Sequence, residues 1–311
     1  MLTHNCFKCW ILSIGLLFLM GCESTLDETN SKNVVCTTNI LANTVRQLLP
    51  DDIDVVSLMG PGVDPHLYKA GQGDLEILQE AGIIIENGLH LEGKMAEVFK
   101  KLQKYKPVIS ASDGIEKGEL IQIEKEVYDP HIWFDVQMWK MSSKLLSERL
   151  ALEFPDRSEE ISRRSDFWAS KLDSLHLWIR KEIEQLPKNR RVLVTAHDAF
   201  SYFGRAYGIE VKGLQGISTQ SEYGLKDVSD LVDYLAENKV PAVFVETSVS
   251  EKSLVAVIEG CKRKNHNVII GGQLYSDALG GKEEPGDNYK NMVSHNVKTI
   301  VGALNSGSDE G

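Results

Sequence analysis

The chain has 311 residues, of which 42% are hydrophobic and 25% are charged, and its formal net charge at pH 7 is −11. This length can form one large domain or two medium ones with buried cores. The sequence has no dense block of lysine and arginine, which excludes the basic face of a typical nucleic-acid-binding protein. The acidic balance indicates either a solvated surface or a mild attraction for cations.

The first 21 residues resemble the signal peptide of a bacterial lipoprotein. Lys8 precedes an apolar run, residues 10–20, which has the length of a signal-peptide core and is too short to span a membrane. The run ends in Leu-Met-Gly-Cys at 19–22, which resembles a lipobox, where cleavage precedes a cysteine whose thiol is lipidated. The pattern predicts a signal peptide over 1–21 and a lipid anchor on Cys22. An ordinary secretory signal is the alternative.

Residues 22–33 are polar and predict a flexible tether between the anchor and the fold. The mature protein is thus expected outside the cytoplasm, lipid-anchored to the bacterial membrane, in the periplasm or at the cell surface. With the signal peptide removed and Cys22 acylated, only Cys36 and Cys261 remain as thiols. We predict both as buried free thiols, although a disulfide is chemically possible in this compartment.

The first half of the mature chain alternates apolar strands with helices, which indicates stacked βα units. Residues 82–86 form a continuous apolar run, as expected for a parallel strand covered on both faces. The predicted strands are 34–38, 54–58, 82–86 and 107–110. The first predicted helix ends at 49, and the next two cover 74–79 and 91–102. An irregular polar segment follows at 111–130, and a fourth helix covers 134–154.

Residues 155–187 predict one long amphipathic helix. Apolar side chains recur there at spacings of three and four, and Pro187 ends the pattern. We interpret this helix as a rigid connector between two lobes; the alternative is a further packed helix of a single domain. The apolar side chains are Trp168, Leu172, Leu175, Ile179, Ile183 and Leu186.

The second half repeats the arrangement of the first half. Its predicted strands are 191–195, 209–212, 242–246 and 268–271. One predicted helix begins near 198, and three more cover 225–237, 252–263 and 289–304. The predicted fold class is therefore α/β, with a four-strand parallel sheet in each of two lobes. The N-terminal lobe would cover 34–154 and the C-terminal lobe 188–311, with the long helix and a cleft between them.

Four loops carry the polar side chains that predict a ligand site. Ligands of open α/β sheets lie beyond the carboxyl ends of the strands, and at least three of these loops occupy that position. Two loops come from each half, so a cleft between the lobes would bring them together. The loops are Asp64-Pro65-His66-Leu67-Tyr68, Asp129-Pro130-His131-Ile132-Trp133, Thr195-Ala196-His197-Asp198 and Tyr275-Ser276-Asp277-Ala278-Leu279.

The repeated Asp-Pro-His pattern is the most informative feature of these loops. Proline fixes the backbone and so holds the following histidine at a set angle. Asp64 and Asp129 could each accept the second imidazole N–H of the histidine two positions later, or cap the following turn. Taken alone, His197 is a histidine beside a helix cap and Asp277 is an N-cap. Taken with the repeated pattern, both become candidate ligands.

The four loops together predict a metal site with three histidines and one aspartate. Imidazole and carboxylate ligands suit zinc, manganese and iron. The predicted ligands are His66, His131, His197 and Asp277, and the candidates for contacts behind them are Asp64, Asp129, Asp198 and Glu246. Asp198 also fits a helix cap, and Glu246 also fits an ordinary carboxylate at a strand end.

Four protein ligands leave no open position for a catalytic water. The sequence contains neither His-Glu-x-x-His nor a nucleophile elbow, so we predict no catalytic residues and no enzyme. Two alternatives stay open. One is a secreted metallohydrolase that recruits Asp198 or Glu246 as its base, and the other is a surface adhesin that uses the metal only for stability.

These motifs together resemble the TroA-like family, the metal-binding lipoproteins of zinc and manganese ABC importers. The resemblance rests on the lipobox, the two Asp-Pro-His loops, Thr-Ala-His-Asp-Ala-Phe at 195–200 and Gly-Gln-Leu-Tyr-Ser-Asp at 272–277. It covers about 34–304 and implies two α/β lobes joined by one long helix, with a divalent metal ion buried between them. It also implies that the family's four ligands match His66, His131, His197 and Asp277.

The resemblance further implies high-affinity capture of the ion and its delivery, by a monomer, to the permease and ATPase of an ABC importer. Two departures bear on the metal. Residues 111–130 contain acids but no histidine, unlike the histidine-rich loop of many zinc-specific members. His197 stands where many manganese-specific members have glutamate. We expect manganese or zinc, with an iron-binding member of the same family as the alternative.

Overall fold

The computed structural model describes residues 32–306. The predicted signal peptide, the predicted lipidation site Cys22 and most of the predicted tether lie outside these residues. Within the described part of the chain, no helix combines the length and the apolar character that a membrane crossing requires.

The described residues contain ten strands and nine α-helices, with short 3-10 turns between some of them. The strands are β1 (Val34–Cys36), β2 (Val55–Ser57), β3 (Ile83–Glu86), β4 (Val108–Ser110), β5 (Gln122–Glu124), β6 (Val127–Tyr128), β7 (Val192–His197), β8 (Glu210–Gln215), β9 (Ala242–Glu246) and β10 (Ile269–Leu274). The helices are α1 (Asn39–Leu48), α2 (Gln72–Glu80), α3 (Ala96–Leu102), α4 (Val136–Glu153), α5 (Ser158–Glu184), α6 (Ser201–Tyr207), α7 (Leu225–Glu237), α8 (Lys252–Arg263) and α9 (Tyr289–Ser306).

Two four-stranded sheets carry the fold. The first has the strand order β2-β1-β3-β4, and the second has the order β10-β9-β7-β8. Counted from its other edge, the second sheet also places its strands as second, first, third and fourth, so the two halves share one topology. All the pairings in both sheets are parallel. The predicted α/β class with two four-strand parallel sheets is confirmed.

The segment 111–130, predicted to be irregular, contains a small antiparallel hairpin of β5 and β6. Glu126, at its turn, adopts a left-handed φ of 61°. All three side chains of β5 are exposed. Because a strand without a buried face shows no apolar alternation, the sequence does not indicate this one.

Helix α5 connects the two sheets. It has 27 residues, which span about 40 Å at 1.5 Å per residue. Near its start, Arg164 pairs at 3.3 Å with Asp51, which lies shortly before β2. Beyond its end, the guanidinium of Arg191, next to β7, donates to the carbonyls of Glu184 and Leu186. The buried side chains of α5 follow the predicted spacing and are Ile161, Trp168, Leu172, Leu175, Ile179 and Ile183.

One hydrophobic core runs through both halves. Its largest cluster joins side chains of β1 and β3 to side chains of β7 and β9. Helix α9 contributes the link, because the ring of Tyr289 lies 5.9 Å from that of Trp139 and 6.1 Å from that of Trp168. The Tyr289 hydroxyl also donates to the Trp133 carbonyl at 2.7 Å. The last helix therefore packs on the first half, and the described residues form one compact unit.

The two cysteines of the described chain, Cys36 and Cys261, are buried free thiols in separate core clusters. Burial raises the pKa of both thiols. A protonated thiol in the core is a poor nucleophile and metal ligand, so both cysteines have a packing role.

Candidate metal centre

The four predicted ligand side chains converge at one buried point between the two sheets. One ligand atom from each of His66, His131, His197 and Asp277 lies within 4.8 Å of the others. None of these residues is more than 2% exposed. His197 is the last residue of β7, and Asp277 follows the end of β10 by three residues. The carboxyl ends of the strands thus carry the site, as expected for open parallel sheets.

The spacing of the ligand atoms suits a small cation. The Nε2 atoms of His66 and His131 are 3.3 Å apart. The carboxylate of Asp277 places Oδ1 3.5 Å from His131 Nε2 and Oδ2 3.5 Å from His197 Nε2. A tetrahedral ion with bonds of about 2.1 Å would separate its ligand atoms by about 3.4 Å.

Two of the central atoms lack a hydrogen-bond partner among the described residues. His197 Nε2 and Asp277 Oδ1 are both buried, and neither is hydrogen-bonded. Burying an unsatisfied polar atom costs about 1–3 kcal/mol, so native proteins rarely leave such atoms without a reason. The residues present therefore fit a bound metal ion, which would satisfy both atoms.

His131 is held by its own loop. Asp129 Oδ1 accepts hydrogen bonds from the backbone N–H of His131 at 2.9 Å and from its Nδ1 at 2.7 Å. A donor at Nδ1 leaves the lone pair of Nε2 free for a metal. The loop is fixed further by Asn87, which donates to the Pro130 carbonyl at 3.0 Å, and by the Tyr202 hydroxyl, which donates to the Asp129 carbonyl at 2.8 Å.

His197 is held by the neighbouring strand. Glu246 Oε1 accepts from the backbone N–H of His197 at 2.9 Å. Glu246 Oε2 lies 2.6 Å from His197 Nδ1, although the two atoms do not form a well-aligned hydrogen bond. The parallel register of β7 and β9, which pairs Thr195 with Phe244, sets the two residues level with each other. Glu246 thus lies behind a predicted ligand, as the sequence suggested.

His66 is held differently. Asp64 Oδ1 accepts from the backbone N–H groups of His66 at 2.8 Å and of Leu67 at 3.4 Å, so this aspartate caps the turn instead of contacting the imidazole. Asp64 Oδ2 accepts from the Thr219 hydroxyl at 2.6 Å. The side-chain amide of Gln220 donates to the His66 carbonyl at 2.7 Å. The loop of His66 is therefore tied to a segment of the second half.

Asp198 lies one residue beyond a predicted ligand but bonds elsewhere. Its carboxylate accepts from the Ser201 hydroxyl at 2.9 Å, at the start of α6, and its backbone N–H donates to the Gln215 carbonyl at 3.1 Å. These contacts agree with the helix cap that the sequence also indicated for Asp198.

The charges around the site shift the ionisation of its members in opposite directions. Burial lowers the pKa of His66 to about 3. Burial acts in the same sense on His131, but the carboxylates of Asp129 and Asp277 outweigh it and raise the pKa of His131 to about 9. For His197, Glu246 and Asp277 likewise outweigh burial and raise the pKa well above its usual value.

The pKa of the Asp277 carboxyl is shifted in the opposite direction from those of His131 and His197. Burial alone would raise the pKa of its carboxyl, but the two charged imidazoles of His197 and His131 hold that pKa well below its usual range. The carboxylates beside His131 and His197 thus favour the protonated form of both imidazoles. A proton on the metal-facing nitrogen of either ring must leave before that ring can bind a metal.

The structure also places three residues at the site that sequence reasoning missed. The Ser248 hydroxyl donates to Asp277 Oδ2 at 3.1 Å, and Thr219 and Gln220 bond to the His66 loop as described above. Ser248 lies two residues after β9, and Thr219 lies four residues after β8. The rule that ligand sites gather at the carboxyl ends of parallel strands could have indicated both segments.

Known proteins resemble the chain over nearly its whole length. The family model of ZnuA, zinc-uptake complex component A, periplasmic, matches residues 34–303. Manganese-binding lipoprotein MntA of Bacillus subtilis is 47% identical over 272 residues, which cover 87% of this chain and 89% of that protein. Zinc-binding protein TroA of Treponema pallidum is 45% identical over 297 residues, which cover 94% of this chain and 96% of that protein.

The fold is shared with solved structures of this group. The periplasmic zinc-binding protein TroA of Treponema pallidum superposes with a TM-score of 0.86 at 44% identity, covering 88% of this chain and 99% of that one. Sequence, fold and site thus agree with the resemblance to the TroA-like proteins. The chain belongs to the zinc-uptake complex component A family, the substrate-binding proteins of metal ABC transporters.

Proposed function

We propose that this chain captures one manganese or zinc ion between its lobes and delivers it to the permease of an ABC importer. The observation that carries the proposal is the buried convergence of three imidazoles and one carboxylate, two of whose central atoms have no hydrogen-bond partner among the described residues. One cation would satisfy both atoms. Membership of a family of transporter substrate-binding proteins supports the delivery step.

Both manganese and zinc have support. Of the relatives, the Bacillus protein is named for manganese and the Treponema protein for zinc. Three imidazoles favour zinc, because zinc outranks manganese for nitrogen ligands. The two oxygens of Asp277 each face a different histidine, which offers the additional oxygen that manganese prefers. Iron is the third candidate on the same ligand chemistry.

Binding without catalysis is the proposed activity. The four side chains fill a tetrahedral set, whereas a catalytic metal keeps an open position for water. The nearest carboxylates behind the ligands, Asp129 and Glu246, contact the imidazoles of His131 and His197 and are not free to activate a water. A metallohydrolase would need one of them released.

The predicted lobes, 34–154 and 188–311, are the units that we propose to close on the ion, with the helix at 155–187 between them. The pattern at 1–22 supports an extracytoplasmic protein anchored to the membrane through a lipid on Cys22. The name of the Bacillus relative, a lipoprotein, agrees with this anchor. The partners are the importer permease and, through it, the ATPase, and we propose that the chain acts as a monomer.

Metal analysis by mass spectrometry of the chain without residues 1–22 tests the proposal. The protein is stripped of metal, offered manganese, zinc and iron in competition, and desalted. We expect about one ion per wild-type chain, since the site holds a single set of four ligands. We expect the ion to be lost in the His66→Ala, His131→Ala double variant, because half of the ligands are missing.

A double variant outside the site is the control. His176 contacts the Tyr207 hydroxyl and His295 contacts the Gln273 carbonyl, so His176→Ala, His295→Ala should retain the ion. No stoichiometric metal in the wild-type chain would overturn the proposal. Metal that stabilises the fold while cellular metal uptake proceeds equally without the protein would favour the adhesin.

A further inference from the structure

We infer that Thr219 and Gln220 of the second half position His66 of the first half, and that the ion enters and leaves on this side of the site. The inference rests on the proposed function. The other three ligands each have a supporting group for their own side chain: Asp129 contacts the ring of His131, Glu246 the ring of His197, and Ser248 the carboxylate of Asp277. The ring of His66 has no such partner behind it among the described residues, because Nδ1 makes no hydrogen bond there.

The support of His66 comes instead from across the cleft. We call residues 216–224, which join β8 to α7, the latch segment. Thr219 donates to the carboxylate of Asp64 at 2.6 Å, and Gln220 donates to the carbonyl of His66 at 2.7 Å. Asp64 in turn accepts from the backbone N–H of His66 at 2.8 Å. Both bonds thus act on the peptide units that set the direction of the imidazole.

The latch segment is itself fastened to the second sheet. Gln215, the last residue of β8, donates through its side-chain amide to the carbonyls of Thr219 at 2.6 Å and of Ser221 at 2.5 Å. These two carbonyls flank Gln220. The donors that hold His66 therefore move with the second sheet, so separation of the halves would withdraw them from His66.

A second group of contacts between the halves is buried in the core near the site. Trp133 Nε1 donates to the Ser276 carbonyl at 3.0 Å, and the Tyr202 hydroxyl donates to the Asp129 carbonyl at 2.8 Å, both within the core. The rings of Phe134 and Phe200 stack there with centroids 4.2 Å apart. These contacts also join the two halves, but opening them would expose several large aromatic side chains.

The latch segment, in contrast, borders solvent. Gln220 is exposed and Thr219 is half-buried, whereas Trp133 and Tyr202 are fully buried. Two hydrogen bonds at an exposed loop are easier to break than aromatic packing in a core. Opening therefore begins at the latch segment, and His66 is the first ligand to leave the ion. Thr219 and Gln220 are positioning residues, since they act on the ion only through His66.

The test measures the rate of metal release from the loaded protein into excess chelator by stopped flow. The variant Thr219→Val, Gln220→Met removes both donors while retaining the shape of the side chains. We expect release to become about tenfold faster, as the loss of two hydrogen bonds would allow. Binding should also become faster, so that the equilibrium affinity falls by less than the release rate rises. The visible spectrum of the cobalt-loaded variant should match that of the wild type, because all four ligands still bind once the site is filled.

The control is Glu222→Gln in the same latch segment, because Glu222 is exposed and makes no hydrogen bond to the first half among the described residues. It should release metal at the wild-type rate. Release from the double variant at the wild-type rate would overturn the inference alone and leave the proposed function intact. A cobalt spectrum at saturation that showed the loss of one imidazole ligand would also overturn it, since His66 would then fail to bind even in the filled site. A wild-type chain without stoichiometric metal would overturn the proposed function and this inference together.

Discussion

The two Asp-Pro-His loops have the same sequence pattern, but their aspartates bond different groups. Asp129 is fully buried and bonds the imidazole of His131. Asp64 is half-buried. Its Oδ1 accepts from backbone N–H groups of its own loop, and its Oδ2 accepts from the Thr219 hydroxyl. The difference shows that the motif fixes the position of a histidine, whereas the surroundings of the loop decide what supports it.

The two histidines differ in charge as a result. Burial without a contacting carboxylate behind the ring lowers the pKa of His66 to about 3, so this imidazole is neutral and ready to bind. Asp129 and Asp277 outweigh burial at His131 and raise its pKa to about 9, so this imidazole is protonated at neutral pH when no metal is present. Under the proposed function, one loop would supply a ready ligand, and the other would supply a ligand that exchanges a proton for the ion.

Exchanging the two aspartates for asparagine would test the comparison most directly. We expect Asp129→Asn to weaken metal affinity by about 10- to 100-fold, because loss of a partner behind a metal-bound imidazole typically costs that much. Asp64→Asn should weaken it by less than about fivefold, because no imidazole contact is lost. Competition titration against a chelator of known affinity measures both. Equal losses in the two variants would contradict the comparison.

The pH dependence of binding should follow His131 and His197 and not His66, and the pKa of His131 sets a window that can be measured. The folded pKa of His131, about 9, lies above the value near 6.5 of an unfolded chain. In the metal-free protein, the stabilisation from the charged imidazole is therefore fully present below pH about 6.5 and is lost as the pH rises through about 9. Over the same window, metal affinity should rise about tenfold per pH unit for each proton released. Titrations between pH 6 and 9 measure this rise.

Repeating the pH titrations of metal affinity on the Asp129→Asn variant tests whether the rise in affinity belongs to His131. Removing that carboxylate should lower the pKa of His131, so the rise in affinity should end at a lower pH than in the wild type. An affinity that is constant from pH 7 upward in the wild type would show that His131 is already neutral there, and the contrast with His66 would fail.

The smallest expected effect concerns the bond across the cleft to the second loop. The Tyr202 hydroxyl donates to the Asp129 carbonyl and accepts from the Ile121 N–H at 3.1 Å. Tyr202→Phe should lower the free energy of unfolding by about 1–2 kcal/mol, because the buried Asp129 carbonyl and the half-buried Ile121 N–H both lose their partner. Metal release should change less than about threefold. Thermal unfolding and stopped-flow release measure the two effects. A release rate as fast as that of the Thr219→Val, Gln220→Met variant would contradict the inference that opening begins at the latch segment.

Much of the site could be predicted from the sequence because its chemistry gathers at strand ends. The apolar runs that end near His197 and Asp277 predicted strands, and the carboxyl ends of parallel strands meet at one edge of a sheet. The proline of each Asp-Pro-His loop marked His66 and His131. These signals are local, so a single sequence contains them, and the structure brings all four side chains together.

The remaining features depend on which distant segments meet. The pairing of Glu246 with His197 follows from the register of β7 and β9, which no local pattern reveals. The bond from Thr219 to Asp64 joins residues 155 positions apart. The packing of Tyr289 against Trp139 likewise joins the end of the chain to its first half. Hydrophobic periodicity shows that such residues are buried, but not against which partner.

The burial of all four proposed ligand side chains affects how this protein would compete with free chelators. A chelator cannot touch an ion surrounded by residues that are at most 2% exposed, so the two cannot share the ion in a ternary complex. The ion would have to depart first, and the rate of its loss would not depend on the chelator concentration. A chelator of higher affinity would therefore not remove the ion faster. The loaded protein would exchange its ion slowly and would not act as a buffer in rapid equilibrium with the surroundings.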